Sequence, residues 1–162
     1  MHVWLIIKLL VLLSVANTSP IILKKFAGER FCQPIDGGLR LPDGQPLFGP
    51  SKTVRGIVIA MLATPAAALA LDIAWWMGAL VGAAAMAGDL LSSFVKRRLK
   101  LASSSQASGL DQIPESLLPT LLASWFLPIT AWDIAAIVGF FLVGEMVFAW
   151  IFFKIGLRDR PY

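Results

Sequence analysis

Residues 56–98 read GIVIAMLATPAAALALDIAWWMGALVGAAAMAGDLLSSFVKRR. Two apolar runs, 56–71 and 73–88, contain no charged side chain, and Asp72 alone separates them. With their flanks, both runs are long enough to cross about 30 Å of hydrocarbon as α-helices. We therefore predict two membrane-spanning helices that are joined by a tight hairpin at Asp72.

The whole chain has the composition of a membrane protein, with 57% hydrophobic residues among 162 and a mean hydropathy of +0.76. Spanning β-strands would need a closed barrel with alternating segments of about ten residues, and this pattern is absent. The sequence therefore predicts an all-α integral membrane protein with five transmembrane helices in a single domain, residues 1–162. The predicted spans are about 3–23, 54–71, 73–95, 115–132 and 134–154, and the larger loops are 24–53 and 96–114.

Basic residues are concentrated on one side of this predicted topology. Of the 14 lysines and arginines, all except Lys8 lie in or beside the loops 24–53 and 96–114 or in the C-terminal tail. The positive-inside rule places these segments in the cytoplasm. We therefore expect a protein of the cell (inner) membrane whose N-terminus faces outward and whose C-terminus lies in the cytoplasm. The net charge of +4 then reflects topology and contact with anionic membrane lipids, not nucleic-acid binding.

The first apolar segment has a second interpretation, a cleaved signal peptide. Ser14-Val15-Ala16 resembles a cleavage site with small residues, but a basic region before the apolar run is missing and Lys8 interrupts the run. Cleavage would also place the basic first loop outside the cell. We therefore favour a transmembrane helix. The single cysteine, Cys32, excludes a disulfide framework.

An acidic residue and a basic cluster share one face of the third predicted helix. Asp89, Ser93 and Lys96 or Arg97 follow the spacing that brings side chains together on an α-helix. A site for metal-bound phosphates at the headgroup level needs this arrangement. The alternative is that Asp89 is paired within the protein and the basic residues only anchor the helix at the membrane surface.

The first loop contains several turn signals, among them Asp-Gly pairs and prolines, which predict a compact folded loop. Residues 44–53 resemble a phosphate-binding P-loop only superficially, because two residues separate the second glycine from Lys52 and no strand precedes it. Lys52, Thr53 and Arg55 lie where the chain enters the second span. A cation beside exposed backbone amides suits a phosphate group.

Three further acids lie near or within apolar segments. The polar run 103–109 predicts a flexible segment, and Pro114 suits the first turn of the fourth helix. Asp111 and Glu115 then gather at this helix start, where ordinary helix capping is the alternative to a functional role. Glu145 lies deep in the fifth span and requires a polar surrounding. An interhelical hydrogen bond is the interpretation that we favour for it, with direct catalysis left open.

These motifs resemble the membrane-embedded CTP-dependent cytidylyltransferases. Gly88-Asp89, Ser93-x-x-Lys96-Arg97 and Leu110-Asp111-Gln112 carry the likeness, which is closest to the short CDP-archaeol synthase family, a distant relative of the phosphatidate cytidylyltransferases. The other similar motifs, in order, are Ala16-Asn17-x-x-Pro20, Pro34-Ile35-Asp36-Gly37-Gly38, Gly49-x-x-Lys52-Thr53-x-x-Gly56 and the terminal Arg160-Pro161-Tyr162.

The chain departs from the family pattern at the second of two aspartates. In the short family an aspartate commonly follows Asp-Gln after one residue, whereas this chain has Pro114 there and Glu115 next. The larger phosphatidate enzymes also have a Lys-Asp and a His-Gly-Gly that are missing here. Glu115 can substitute for the missing aspartate, so the identity of the second metal-binding carboxylate stays open.

The resemblance implies a nucleotidyltransferase of phospholipid biosynthesis. A membrane lipid monophosphate would attack CTP to give a CDP-lipid and pyrophosphate, with Mg²⁺ as cofactor and Asp89 and Asp111 as its ligands. The residues with an implied catalytic role are Asp89, Lys96, Arg97 and Lys52, and those with an implied substrate-binding role are Asn17, Asp36, Thr53, Arg55, Ser93 and Gln112. The sequence leaves open the lipid chains (isoprenoid ether or acyl ester) and the oligomeric state, a homo-oligomer included.

The main alternative from another class is a non-catalytic small membrane protein, such as a transporter subunit or an assembly factor. A transporter should carry polar residues along a path open to both faces, whereas here the ionisable residues gather at one interface. A CDP-alcohol phosphotransferase is disfavoured because its spaced aspartates on adjoining helices are missing. A lipid phosphatase is disfavoured because the only histidine is His2.

We expect Cys32 to be cytoplasmic, because the loop that carries it also carries much of the basic charge. A membrane-impermeant thiol reagent should therefore leave Cys32 unlabelled in intact cells and label it after permeabilisation. Labelling from outside intact cells would contradict both the topology and the placement of the site.

Overall fold

Five α-helices make up the regular structure in the part of the chain that the structure describes. The structure, a computed structural model, describes residues 2–28, 30–102 and 109–156. The helices are α1 (Val3–Ala27), α2 (Val54–Ala70), α3 (Trp75–Arg98), α4 (Gln112–Ala123) and α5 (Ala131–Lys154). Apart from two isolated β-bridges, no strand occurs in these ranges, which confirms the all-α prediction. Residues 103–108 of the polar run 103–109 and the motif Arg160-Pro161-Tyr162 lie outside the described residues.

Three of the five helices, α1, α3 and α5, are long and apolar enough to cross a membrane. Helix α2 is apolar and has 17 residues. Helix α4 has 12 residues, so it spans only about 18 Å. The sequence predicts a span over residues 115–132, whereas α4 ends at Ala123.

The chain between α4 and α5 does not continue as a helix, because a proline and a new helix cap follow the end of α4. Pro128 cannot supply a backbone N–H to a continuing helix. Thr130 then caps α5: its hydroxyl accepts a hydrogen bond from the N–H of Asp133 (3.3 Å), and the Asp133 carboxylate accepts one from the N–H of Thr130 (3.0 Å). This capping box starts a new helix at Ala131.

The N-terminus is joined to the same end of the helix bundle. The backbone N–H of His2 donates to the Asp133 carboxylate at 3.0 Å, and the His2 ring Nδ1 lies 3.1 Å from the other carboxylate oxygen. The Asp133 side chain is buried. The first turn of α1 is therefore held against the first turn of α5.

Small residues allow α2 and α3 to pack closely. A Cβ atom at Gly78 would lie 2.6 Å from the Ala68 Cβ and 2.7 Å from the carbonyl oxygen of Thr64. A Cβ atom at Gly82 would lie 3.2 Å from the Thr64 side chain. Thr64 itself is buried and donates its hydroxyl hydrogen bond to the Ala60 carbonyl at 2.8 Å.

Residues 30–53, which we call loop 1, fold into successive turns, as their composition predicts. Leu41 donates its backbone N–H to the carbonyl of Gln45, and Leu47 donates to that of Leu39, both at 2.9 Å. Arg98 of α3 holds this loop, because its guanidinium donates to the Asp43 carboxylate and the Pro46 carbonyl, each at 2.6 Å. Loop 1 is therefore a packed part of the fold.

We expect Gly78→Ala to lower the melting temperature of the detergent-purified protein, because the added methyl group overlaps α2. Overpacking of this kind destabilises by about 1–3 kcal/mol. The matched control is Gly139→Ala in α5, since among the described residues no atom other than those of the adjoining α5 backbone and chain neighbours lies within 4 Å of the Cβ added there. Equal melting temperatures for the two variants would contradict the close packing of α2 against α3.

Candidate active site

The site is built around an ion pair between Lys52 of loop 1 and Asp89 of α3. Asp89 lies about 13 Å from the end of α3 at Arg98, given a rise of about 1.5 Å per residue. Its carboxylate therefore lies along the side of α3, not at the end of the helix. The side chains of Lys52 and Asp89 are only 22% and 20% exposed.

The pKa of Lys52 reflects this pairing. Burial acts to lower it, but the neighbouring Asp89 carboxylate outweighs burial and raises the pKa above the usual lysine value. Glu115 and Asp111 add to the effect from a greater distance. Lys52 is therefore a cation at neutral pH, held in the site by surrounding carboxylates.

A second carboxyl group, that of Glu115, contacts Asp89. The two side chains lie within hydrogen-bonding reach of each other and interact electrostatically. The family resemblance implies Asp89 and Asp111 as metal ligands, and it offers Glu115 as a substitute for the aspartate that is missing at Pro114. The sequence does show an acid in the first turn of α4, but an acid at that position is explained equally well by ordinary helix capping.

Gly88 makes the contact between α3 and α4 possible. A Cβ atom there would lie 2.3 Å from the Pro114 carbonyl oxygen and 2.8 Å from the backbone nitrogen of Glu115. The first turn of α4 therefore rests directly on the α3 backbone beside Asp89. A larger residue would separate the two carboxyl groups.

Lys96 and Asp111 form a second ion pair, with 2.7 Å between Nζ and a carboxylate oxygen and with side chains 8% and 17% exposed. This pair is within electrostatic reach of the first, since Lys96 acts on Asp89 and Asp111 acts on Lys52. The structure thus gathers Lys52, Asp89, Lys96 and Asp111, all predicted site residues, at one place between loop 1, α3 and α4.

Arg97 lies beside this cluster and is buried. Its Nη2 donates a hydrogen bond to the Ala102 carbonyl at 2.9 Å, and its charge interacts with Asp111. Ser93 is also buried, on the same helix. Both residues are therefore placed near the ion pairs, as their spacing from Asp89 predicts.

Other residues predicted to bind substrate make contacts within the fold. The Thr53 hydroxyl caps α2 by accepting a hydrogen bond from the Gly56 N–H at 3.2 Å. The Arg55 guanidinium donates to the carbonyls of Gly28 and Arg30. Their roles in substrate binding stay predictions.

Asn17 and Gln112 are likewise engaged close to their own positions. The Asn17 amide donates to the Leu13 carbonyl at 3.2 Å within α1. The Gln112 side-chain oxygen accepts a hydrogen bond from the Gly109 N–H at 2.8 Å, where α4 begins. The substrate-binding roles predicted for these two residues also stay predictions.

Glu145 of α5 is within electrostatic reach of the site. It is partly buried and acts electrostatically on Glu115. Its helix thereby adds a further acid to the carboxylates of α3 and α4.

The donor set of the site suits a divalent cation that arrives with a phosphate ligand. Within the ranges that the structure describes, no three His, Cys, Asp or Glu side chains come together as a complete metal site. Mg²⁺ commonly uses only one or two protein carboxylates and completes its shell with water and substrate phosphates. The contacting carboxyl groups of Asp89 and Glu115 fit this requirement.

Comparisons with known proteins agree on one family. Residues 66–162 match the CarS-like CDP-archaeol synthase family. The chain is 41% identical to the CDP-archaeol synthase of Hyperthermus butylicus over 60% of this chain and 59% of that protein. It is 32% identical to that of Thermococcus onnurineus over 91% of this chain and 89% of the relative.

A solved structure has the same fold. It is described as an intramembrane enzyme for archaeal membrane lipids biosynthesis, and it superposes with a TM-score of 0.70 at 27% sequence identity. The superposition covers 87% of this chain and 90% of that chain. This likeness supports an integral membrane protein.

Proposed function

The chain belongs to the CDP-archaeol synthase family, and we propose from this that it is a cytidylyltransferase that uses CTP to activate a membrane lipid monophosphate. The single observation that carries the proposal is the pair of partly buried Lys–Asp contacts, Lys52–Asp89 and Lys96–Asp111, in a chain with this family match. The non-catalytic alternative, a transporter subunit or assembly factor, is not favoured by the same comparisons.

The reaction needs little acid–base chemistry from the protein. An oxygen of the lipid phosphate attacks the α-phosphorus of CTP, a new P–O bond forms, and the bond to the β-phosphate breaks to release pyrophosphate. The nucleophile is already an anion at neutral pH. The main barrier is repulsion between anions, which cationic side chains placed before the reaction can lower.

Each residue of the cluster has a distinct task in this proposal. Lys52 and Lys96 neutralise phosphate charge, and Arg97 supports them from beside Asp111. Asp89 and Glu115 would hold Mg²⁺, while Asp111, the second ligand that the resemblance implies, orients Lys96. When bound, the metal ion supplies charge neutralisation at the phosphate oxygens.

The relatives are named for an archaeol product, so we propose an isoprenoid ether phosphate as the lipid substrate. We further propose that all five helices lie in the cell membrane, with the N-terminus outside and the site open to cytoplasmic CTP. The basic residues beside loop 1 and at the end of α3 support this orientation through the positive-inside rule.

We expect purified protein to form a CDP-lipid and release pyrophosphate only when CTP, a divalent metal ion and a lipid phosphate are all present. Labelled CTP, Mg²⁺ and a panel of ether- and ester-linked lipid phosphates test this directly. ATP should serve poorly, although dCTP is an acceptable variant. Equal turnover with ATP, or full turnover in excess EDTA, would count against a cytidylyltransferase.

We expect Asp89→Asn to reduce turnover by about 10²-fold or more, or about 2.7 kcal/mol in the barrier, because the amide keeps the shape but removes the charge that a metal ion needs. Glu145→Gln is the matched variant of a second partly buried acid, and it should keep substantial activity. Both proteins should be monodisperse and assayed at saturating CTP and Mg²⁺.

The two variants locate the reacting centre. Near-normal turnover of well-folded Asp89→Asn protein would remove Asp89 from the metal site. An inactive but well-folded Glu145→Gln protein would place the centre nearer to α5 than we propose.

A further inference from the structure

Asp36 is the residue that joins the two halves of loop 1. Its Oδ1 accepts a hydrogen bond from the N–H of Gly38 at 3.0 Å. Its Oδ2 accepts two more, from the N–H of Phe48 at 2.9 Å and from that of Gly49 at 3.0 Å. One carboxylate thus connects the turn at 36–38 to residues 48–49, which are distant in sequence.

The Asp36 carboxylate is suited to this role as an anion. Burial by itself would raise the pKa of Asp36, but the N–H groups of Gly49, Phe48 and Gly38 outweigh burial and lower the pKa below the usual range. The side chain is therefore ionised at neutral pH, and both of its oxygens accept hydrogen bonds from the loop backbone.

The segment that Asp36 holds leads directly to Lys52. Gly49 has φ +96°, a conformation that glycine adopts without strain, and its carbonyl accepts a hydrogen bond from the Lys52 N–H at 3.2 Å. The Lys52 carbonyl in turn accepts one from the N–H of Ile35, at 2.8 Å. Lys52 is thus fixed from both sides, by Gly49 and by the neighbour of Asp36.

We propose that Asp36 is a positioning residue whose carboxylate fixes the turn that directs the Lys52 ammonium group to Asp89, so that Asp36 affects nucleotide binding only through Lys52. This assignment rests on the proposed function, in which Lys52 neutralises a phosphate of CTP. It replaces the direct substrate contact that the family resemblance implies for Asp36.

A double-mutant cycle on the full-length protein tests the proposal, with the dissociation constant of CTP in the presence of Mg²⁺ as the readout. Asp36→Asn and Lys52→Met should each weaken CTP binding by about tenfold, or about 1.4 kcal/mol. The double variant should bind CTP no more weakly than Lys52→Met alone, because the ammonium group that Asp36 positions is already absent from that variant.

Asp43→Asn is the matched control, because Asp43 caps another turn of loop 1 by accepting a hydrogen bond from the Gln45 N–H at 3.0 Å. Asp43 pairs with Arg98 and makes no contact with Lys52 in the described structure. Its substitution should change CTP affinity by less than about twofold, and any effect should add to that of Lys52→Met.

Two results would overturn the proposal. A further loss of affinity in the double variant at an unchanged melting temperature would show that Asp36 contacts the nucleotide directly. A further loss with a lowered melting temperature would show a general structural role. Failure of the wild-type protein to bind CTP would instead refute the proposed function, so the two failures are distinguishable.

A second variant keeps the test decisive if Asp36→Asn does not fold. Gly49→Ala leaves Asp36 intact but strains the turn between it and Lys52, because φ +96° is unfavourable for alanine. Its loss of CTP affinity should likewise disappear in the Lys52→Met background. Full additivity there would overturn the proposal as well.

Discussion

An ion pair inside an apolar helix bundle, such as that between Lys52 and Asp89, needs close and oriented partners to offset the desolvation of both charges. Either charge alone in that position would be strongly unfavourable. The pair is therefore a constraint on everything around it. Loop 1 must fold so that a lysine reaches into the bundle, and α4 must approach α3 closely enough for Glu115 to join the carboxylate.

The surrounding contacts meet this constraint at two depths. Near the end of α3, Arg98 holds loop 1 through Asp43 and Pro46. Deeper in the bundle, Lys52 holds the end of the same loop through Asp89. Between these points the loop backbone is organised by Asp36, so loop 1 forms one wall of the site.

The opposite end of the bundle has a simpler organisation. The contact of His2 with Asp133 and the capping box at Thr130 hold the starts of α1 and α5 together. Between the two polar ends, small residues such as Gly78 and Gly82 set the helix spacing. Charge pairs therefore hold the end of the bundle that carries the site, and close apolar packing holds its middle. The polar site and the apolar core thus occupy different parts of the same bundle.

The sequence by itself determined that the chain is helical and membrane-embedded, because long apolar runs can satisfy their backbone groups only within helices. Periodicity also placed Asp89, Ser93 and Lys96 on one face of α3, and family motifs singled out Lys52 and Asp111. Only the tertiary structure decided which partners these residues have. The contacts of Asp89 with Lys52 and Glu115, and that of Arg98 with Asp43, join segments far apart in the chain, and no local pattern encodes such distances. The early end of α4 has a different, local origin: hydropathy measures how apolar a segment is, whereas Pro128 and the Thr130 cap decide where its backbone stops being helical.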